Sequence, residues 1–153
     1  MSVNWMMKLG LLGLLASGVA GCSTTSGTYV AAVGATADQQ LSEVRSAGGL
    51  SPLHSDAQLE AAARQQASYM AQAGRMSHNA GASFQRRVSA NGIAGKAAEN
   101  VANGRFTASK VVEVWMNSPP HRRNIMNPAF SRYGLASAEG VGGRKYWAMV
   151  LAE

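Results

Sequence analysis

Apolar residues recur along this chain in two rhythms, first helical and then alternating. Leu59, Ala62, Ala63, Gln66, Ala67, Met70 and Ala73 return at three- and four-residue steps up to Gly74. That spacing predicts a long amphipathic helix with Ser55 or Asp56 as its N-cap, and its alanines predict close packing. Upstream, Leu41, Val44 and Arg45 share one face of a helix that starts near Thr36 and stops at Gly48-Gly49, before Leu50-Ser-Pro-Leu53. A short helix is expected from Ser83 to Ala90, ending at Asn91-Gly92. Thr107 is placed to cap another through Val111, Val114 and Trp115, which must break before Pro119-Pro120. His121 to Met126 fits one further helical turn closed by Pro128. Ala97 to Ala102, Tyr133 to Ala138 and Lys145 to Leu151 read as strands, the last two joined by the turn Glu139-Gly-Val-Gly-Gly-Arg144. Helices come first, strands follow, and no regular βαβ alternation appears, so the fold class is α+β and layered.

The N-terminal stretch follows neither rhythm. Lys8 precedes an apolar run from Leu9 to Ala20 that is too short to span a bilayer. It ends in Val19-Ala20-Gly21-Cys22, which resembles the lipobox of bacterial lipoproteins. Residues 1–21 are therefore expected to be a lipoprotein signal peptide. Residues 22–35, rich in Ser, Thr and Gly, are expected to be a flexible tether from a lipidated Cys22, and 36–153 one domain. Two or three acyl chains would hold such an anchor firmly where one would not. Among related lipoproteins, a serine after the cysteine goes with the outer membrane, so Ser23 implies a position there facing the periplasm.

Composition narrows the rest. The 153 residues are 46% hydrophobic but only 7% aromatic, so the core must be built from small side chains. The single cysteine leaves none for a disulfide, and packing alone must hold the fold. Formal charge is +6, but the arginines are scattered from Arg45 to Arg144, which suits anionic surfaces rather than nucleic acid.

Titratable groups in apolar settings gather in three segments: Ser77-His78-Asn79, Ala98-Glu99-Asn100-Val101, and Ser118-Pro-Pro-His121-Arg-Arg-Asn124. Two imidazoles and a carboxylate meet the minimum for zinc or another divalent metal with a position left for water. The same three could relay protons, or tie loops together by hydrogen bonds. Their separations are long, and spacing does not show that they meet. His54 lies in the approach to a helix and Glu113 faces away from the apolar stripe, so both read as exposed. Arg86-Arg87 and Arg122-Arg123 read as solvated pairs that could meet lipid head groups or glycan-linked anions. Ser118 lacks the Gly-x-Ser-x-Gly elbow of a nucleophile.

At these segments the chain resembles the CAP superfamily, also called SCP or pathogenesis-related-1-like proteins, in its bacterial form. The matching pieces are the helix leading to His78, the strand Ala98-Glu99-Asn100-Val101-Ala102, and Trp115-Met-Asn-Ser118-Pro-Pro-His121-Arg-Arg-Asn124-Ile125-Met-Asn-Pro128, followed by Phe130 and Tyr133-Gly134-Leu135. The resemblance implies an α-β-α sandwich with a small antiparallel sheet and a cleft holding two histidines and two glutamates. His78, Glu99 and His121 match three of these; the second glutamate falls on Ser118, which lowers the expected metal affinity. The family includes lipid and sterol binders, hydrolase candidates and toxins, so three functions stay open. One is a non-enzymatic envelope module whose cleft, with His78, Glu99, Asn100, Ser118 and His121, binds a lipid, glycan or envelope protein. Another is a metal-dependent hydrolase with His78, His121 and Glu99 as ligands, or Glu99 as the catalytic base. A purely structural role is the third.

Overall fold

A computed structural model describes residues 26–153, with side chains from residue 37. The expected leader at 1–21 and Cys22 lie outside the described residues.

Among the described residues, five α-helices and four strands follow one another as α1 (Ser26–Ala47), β1 (His54–Ser55), α2 (Ala57–Ala73), α3 (Phe84–Ala90), β2 (Ala97–Asn103), α4 (Ala108–Met116), α5 (Pro119–Ile125), β3 (Arg132–Glu139) and β4 (Lys145–Ala152), with a 3-10 turn at Val141–Gly143 between the last two strands. The expected caps form. Asp56 accepts from the amides of Gln58 and Leu59 at 2.9 and 3.0 Å, and Thr107 from that of Lys110 at 3.1 Å. Helix α2 ends at Gly74, whose φ of 63° is the left-handed conformation a helix C-terminus favours.

Three boundaries differ from the sequence pattern. Helix α1 starts at Ser26, not near Thr36, so the segment read as a flexible tether is helical from Ser26 onward. The Ser/Thr/Gly content masked a run rich in alanine, and extending an existing helix costs far less than nucleating one. Helix α5 starts at Pro119 rather than His121 because proline is well suited to the first helical turn. The two-residue strand β1 was not legible, being too short to show any alternation.

The sheet order is β1-β3-β4-β2, antiparallel except where β1 pairs with β3. Central β4 is buried on both faces, and its side chains sort strictly by parity. Trp147, Met149 and Leu151 join α1 and α4 residues such as Leu41, Val111 and Trp115 in one core. Tyr146, Ala148, Val150 and Ala152 join Leu59, Ala62, Ala63, Ala67 and Met70 of α2 in the other. The result is a sheet between two helical layers, the expected α-β-α sandwich. Helix α2 sits directly on Gly134, where an added Cβ would fall 2.0 Å from the Glu60 amide nitrogen.

Arg45 does more than share the apolar face of α1. Its side chain is buried and donates to the carbonyls of Ser51 (2.6 Å), Ile125 (2.7 Å), Asn127 (3.1 Å) and Phe130 (3.1 Å), fastening α1 to the segment after α5.

Candidate functional site

The site forms at the outer edge of the sheet, where β2 pairs with β4 on one side only. Alternation along β2 sends its two polar residues to opposite layers. Glu99 and Val101 face the α2/α3 layer, while Asn100 and Ala102 face the α4/α5 layer. Both polar side chains are buried and so need partners.

Glu99 finds two. One carboxylate oxygen accepts from His78 Nδ1 at 2.9 Å and the other from Arg87 Nη2 at 2.5 Å. His78 sits in the loop after α2, its side chain about half exposed, whereas the side chains of Glu99 and Arg87 are each only 2% exposed. A proton on Nδ1 makes that contact attractive, which leaves Nε2 of a neutral His78 with a free lone pair. Arg87 also donates to the carbonyls of His78 and Ala82, so the guanidinium holds the loop and the carboxylate together. Gln66, fully buried on α2, donates to the carbonyl of Ser77 just before His78.

Asn100 builds the opposite wall. Its Nδ2 donates to the backbone carbonyl of His121 at 3.1 Å, and its Oδ1 accepts from Asn124 Nδ2 at 2.8 Å. Helix α5 is thus pinned to the strand through the main chain of His121. The pKa of its imidazole is lowered, first by burial and then by the nearby His78. His121 Nδ1 is buried with no hydrogen-bond partner among the described residues.

The structure brings His78 and Glu99 together and holds Asn100 against His121. It does not gather His78, His121 and Glu99 as a metal-binding trio: among the described residues, no three His, Cys, Asp or Glu side chains are grouped to hold a metal ion. Alternation along β2 sends Glu99 to the α3 side with His78 and Asn100 to the α5 side, where it holds the His121 main chain, while the two imidazoles lie near enough for His78 to help lower the His121 pKa. Ser118 is the N-cap of α5 but makes no side-chain capping bond. His54 and Glu113 are exposed, as expected, with Glu113 paired to Lys110 at 2.6 Å. Arg87 corrects the expectation of a solvated arginine pair, since only Arg86 is exposed. Its position three residues after Phe84 and next to Val88, on the inward side of a short helix, was the available signal.

Known proteins agree with this architecture. Residues 39–151 match the model of the Cysteine-rich secretory protein family, CAP. The uncharacterized protein YkwD of Bacillus subtilis is 39% identical over 95 residues, which are 60% of this chain and 37% of that protein. The chain thus spans little more than a third of that relative's length. Among solved structures, an outer surface protein of Borrelia burgdorferi superposes with a TM-score of 0.72 at 19% identity, covering 80% of this chain and 92% of that one. An extracellular protein of Bacillus anthracis containing an SCP domain gives 0.63 at 23% identity, covering 76% of this chain and 40% of that one. Both likenesses are of fold.

Proposed function

The chain belongs to the cysteine-rich secretory protein (CAP) family, and on that premise we propose that it is an exported envelope protein whose cleft beside β2 binds a ligand or partner without turning it over. The observation that carries this reading is the double engagement of Glu99. With one oxygen on His78 and the other on Arg87, and its side chain only 2% exposed, the carboxylate serves as a fixed anchor with little access to water. Ser118, where the resemblance would put a second acid, adds none. What the cleft offers instead is polar recognition: the Nε2 lone pair of His78, the imidazole of His121, and the exposed Arg122 and Arg123. A lipid head group, a glycan or an envelope protein would supply suitable donors and anions.

The lipobox-like Val19-Ala20-Gly21-Cys22 supports anchoring through lipid on Cys22, and Ser23 supports the outer membrane. The similar proteins described as outer-surface or extracellular support export. The full-length protein, expressed in a bacterial host, should incorporate labelled fatty acid, and Cys22→Ser should not. Purified protein should co-sediment with peptidoglycan sacculi or with phosphatidylethanolamine/phosphatidylglycerol vesicles, and His78→Ala and His121→Ala should weaken that binding. Release of soluble fragments from either material, lost in the same variants, would overturn the binding reading in favour of hydrolysis.

A further inference from the structure

We propose that the turn between β3 and β4 docks the protein on an anionic phospholipid surface, with Val141 entering the head-group layer and Arg105 and Arg144 binding its phosphates. Among the described residues the exposed large hydrophobics are Met76 and Val141, and Val141 is 97% exposed. A lone exposed valine is ordinary on a protein surface, but its setting here is not. Exposed Arg144 follows it by three residues, and exposed Arg105, just past the end of β2, donates to the Gly142 carbonyl at 3.0 Å. Half-buried Lys145 adds a third cation, its ammonium 5.8 Å from the centre of the Trp147 ring. Glu139 is the one acid in the two segments 103–106 and 139–145. The turn is braced as well as basic: the Gly140 amide donates to the Arg144 carbonyl at 2.8 Å, and the Gly143 amide to that of Gly140 at 3.3 Å. Gly142 and Gly143, both at a φ of 72°, supply the left-handed backbone that so tight a turn needs. A preformed tip loses little entropy on docking, and apolar area and attraction to anionic lipid act together in such binding.

The course of α1 points to the same end of the sandwich. Gln40 of α1 accepts from Ser109 at 3.3 Å, in the first turn of α4, which starts just after Arg105. At its other end α1 is fastened by Arg45 to the carbonyls of Ile125 and Phe130. Traced back from Ala37 to Ser26, the helix therefore runs on for about 16 Å from the end that carries the β3–β4 turn. On the reading of Cys22 as a lipid anchor, on which this proposal rests, the lipid and the turn address one bilayer. The cleft is left free. Glu99 lies four residues along β2 from Asn103, about 13 Å at roughly 3.3 Å per residue, and so stands clear of head groups when the turn is docked.

Lipidated protein, purified from bacterial membranes and reconstituted in vesicles, tests this. With lipid on Cys22, Val141→Cys carries the one free thiol of the chain. A fluorophore there should be quenched by brominated lipid in phosphatidylglycerol/phosphatidylcholine vesicles, and not in phosphatidylcholine alone. The same probe at Ala129→Cys, exposed near the Arg45 end of α1, should stay unquenched in both. The Arg144 side chain has no bonded partner among the described residues. Arg144→Gln should lower the docked-to-free ratio about fivefold, the factor that one basic residue near an anionic surface supplies. Without any label, amide hydrogen exchange of residues 140–144 in wild type should slow on the anionic vesicles, and Val141→Asp should remove the slowing. Equal quenching at 141 and 129, quenching indifferent to anionic lipid or to Arg144→Gln, or exchange at 140–144 unchanged by anionic vesicles would each overturn the proposal. Absence of fatty acid on Cys22 would overturn the anchor and this proposal together; fatty acid incorporated with an unquenched turn would overturn this proposal alone.

Discussion

Replacing Gly134 by alanine adds one methyl group where helix α2 rests on the sheet. The new Cβ would lie 2.0 Å from the Glu60 nitrogen, 2.1 Å from the Leu59 carbonyl carbon and 2.5 Å from the Glu60 Cα. An ordinary contact is at least 3.4 Å, and 3.4 minus 2.0 leaves 1.4 Å for α2 to yield. The obstacle is main chain, so no rotamer change relieves it. Nor can the first turn of α2 move alone: its cap Asp56 is tied to Arg132 at 2.8 Å, and the Asp56 amide to the Tyr133 carbonyl at 2.9 Å. Overpacking a core costs about 1–3 kcal/mol. Lifting fully buried Leu59 sacrifices part of the roughly 1.5–3 kcal/mol that its burial supplies. The expected loss is therefore about 3–4 kcal/mol, or a fall of roughly 12–15 °C in Tm for a domain of this size. Urea melts followed by the fluorescence of buried Trp115 and Trp147 should show a lower midpoint with an unchanged slope. The control is Gly142→Ala, which puts the same methyl in open space at a φ of 72°; it should cost only about 1–2 kcal/mol. A Gly134→Ala loss below about 1 kcal/mol, or one no larger than the control's, would refute the claim that α2 is seated on this glycine.

Three further outcomes follow from single groups. Because the folded-state pKa of His121 is lowered, its contribution to stability should be complete above the unfolded value of about 6.5 and lost as pH falls below it; His121→Gln should flatten urea-derived stability between pH 7.5 and 5. Tyr133 has its pKa raised, first by burial and then by the hydrogen bond it donates to Asp38. Its contribution should persist below the unfolded value of about 10 and be lost as pH rises past it, so alkaline melts of Tyr133→Phe should lack that loss. Asp56→Ala removes the cap of α2 and the ion pair with Arg132; denaturant melts should show a loss of about 1–2 kcal/mol.

The order of helices and strands was legible because it depends on local spacing. The alanine stripe of α2, its cap and its terminal glycine are short-range signals, and so is the alternation of β4. Family membership was legible for a related reason: Trp115 to Pro128 is a contiguous stretch in which the cap, prolines and polar residues keep a fixed order. Local pattern failed where tertiary contact decides. Strand β1 exists only because β3 offers it an edge, and the polar residues of 26–35 did not prevent α1 from extending back to Ser26.

At the site, the sequence alone identified Glu99, Asn100, His78 and His121 as buried or end-of-element polar residues, but could not say who meets whom. Adjacent residues on a strand face opposite layers, so Glu99 and Asn100 part company despite being neighbours, and only the stacking of α3 and α5 on either side names their partners. Arg87 shows the limit most clearly. Beside Arg86 in the chain it looked like one of two solvated charges; only packing turned one arginine outward and buried the other against Glu99, because a carboxylate removed from water there must find a cation.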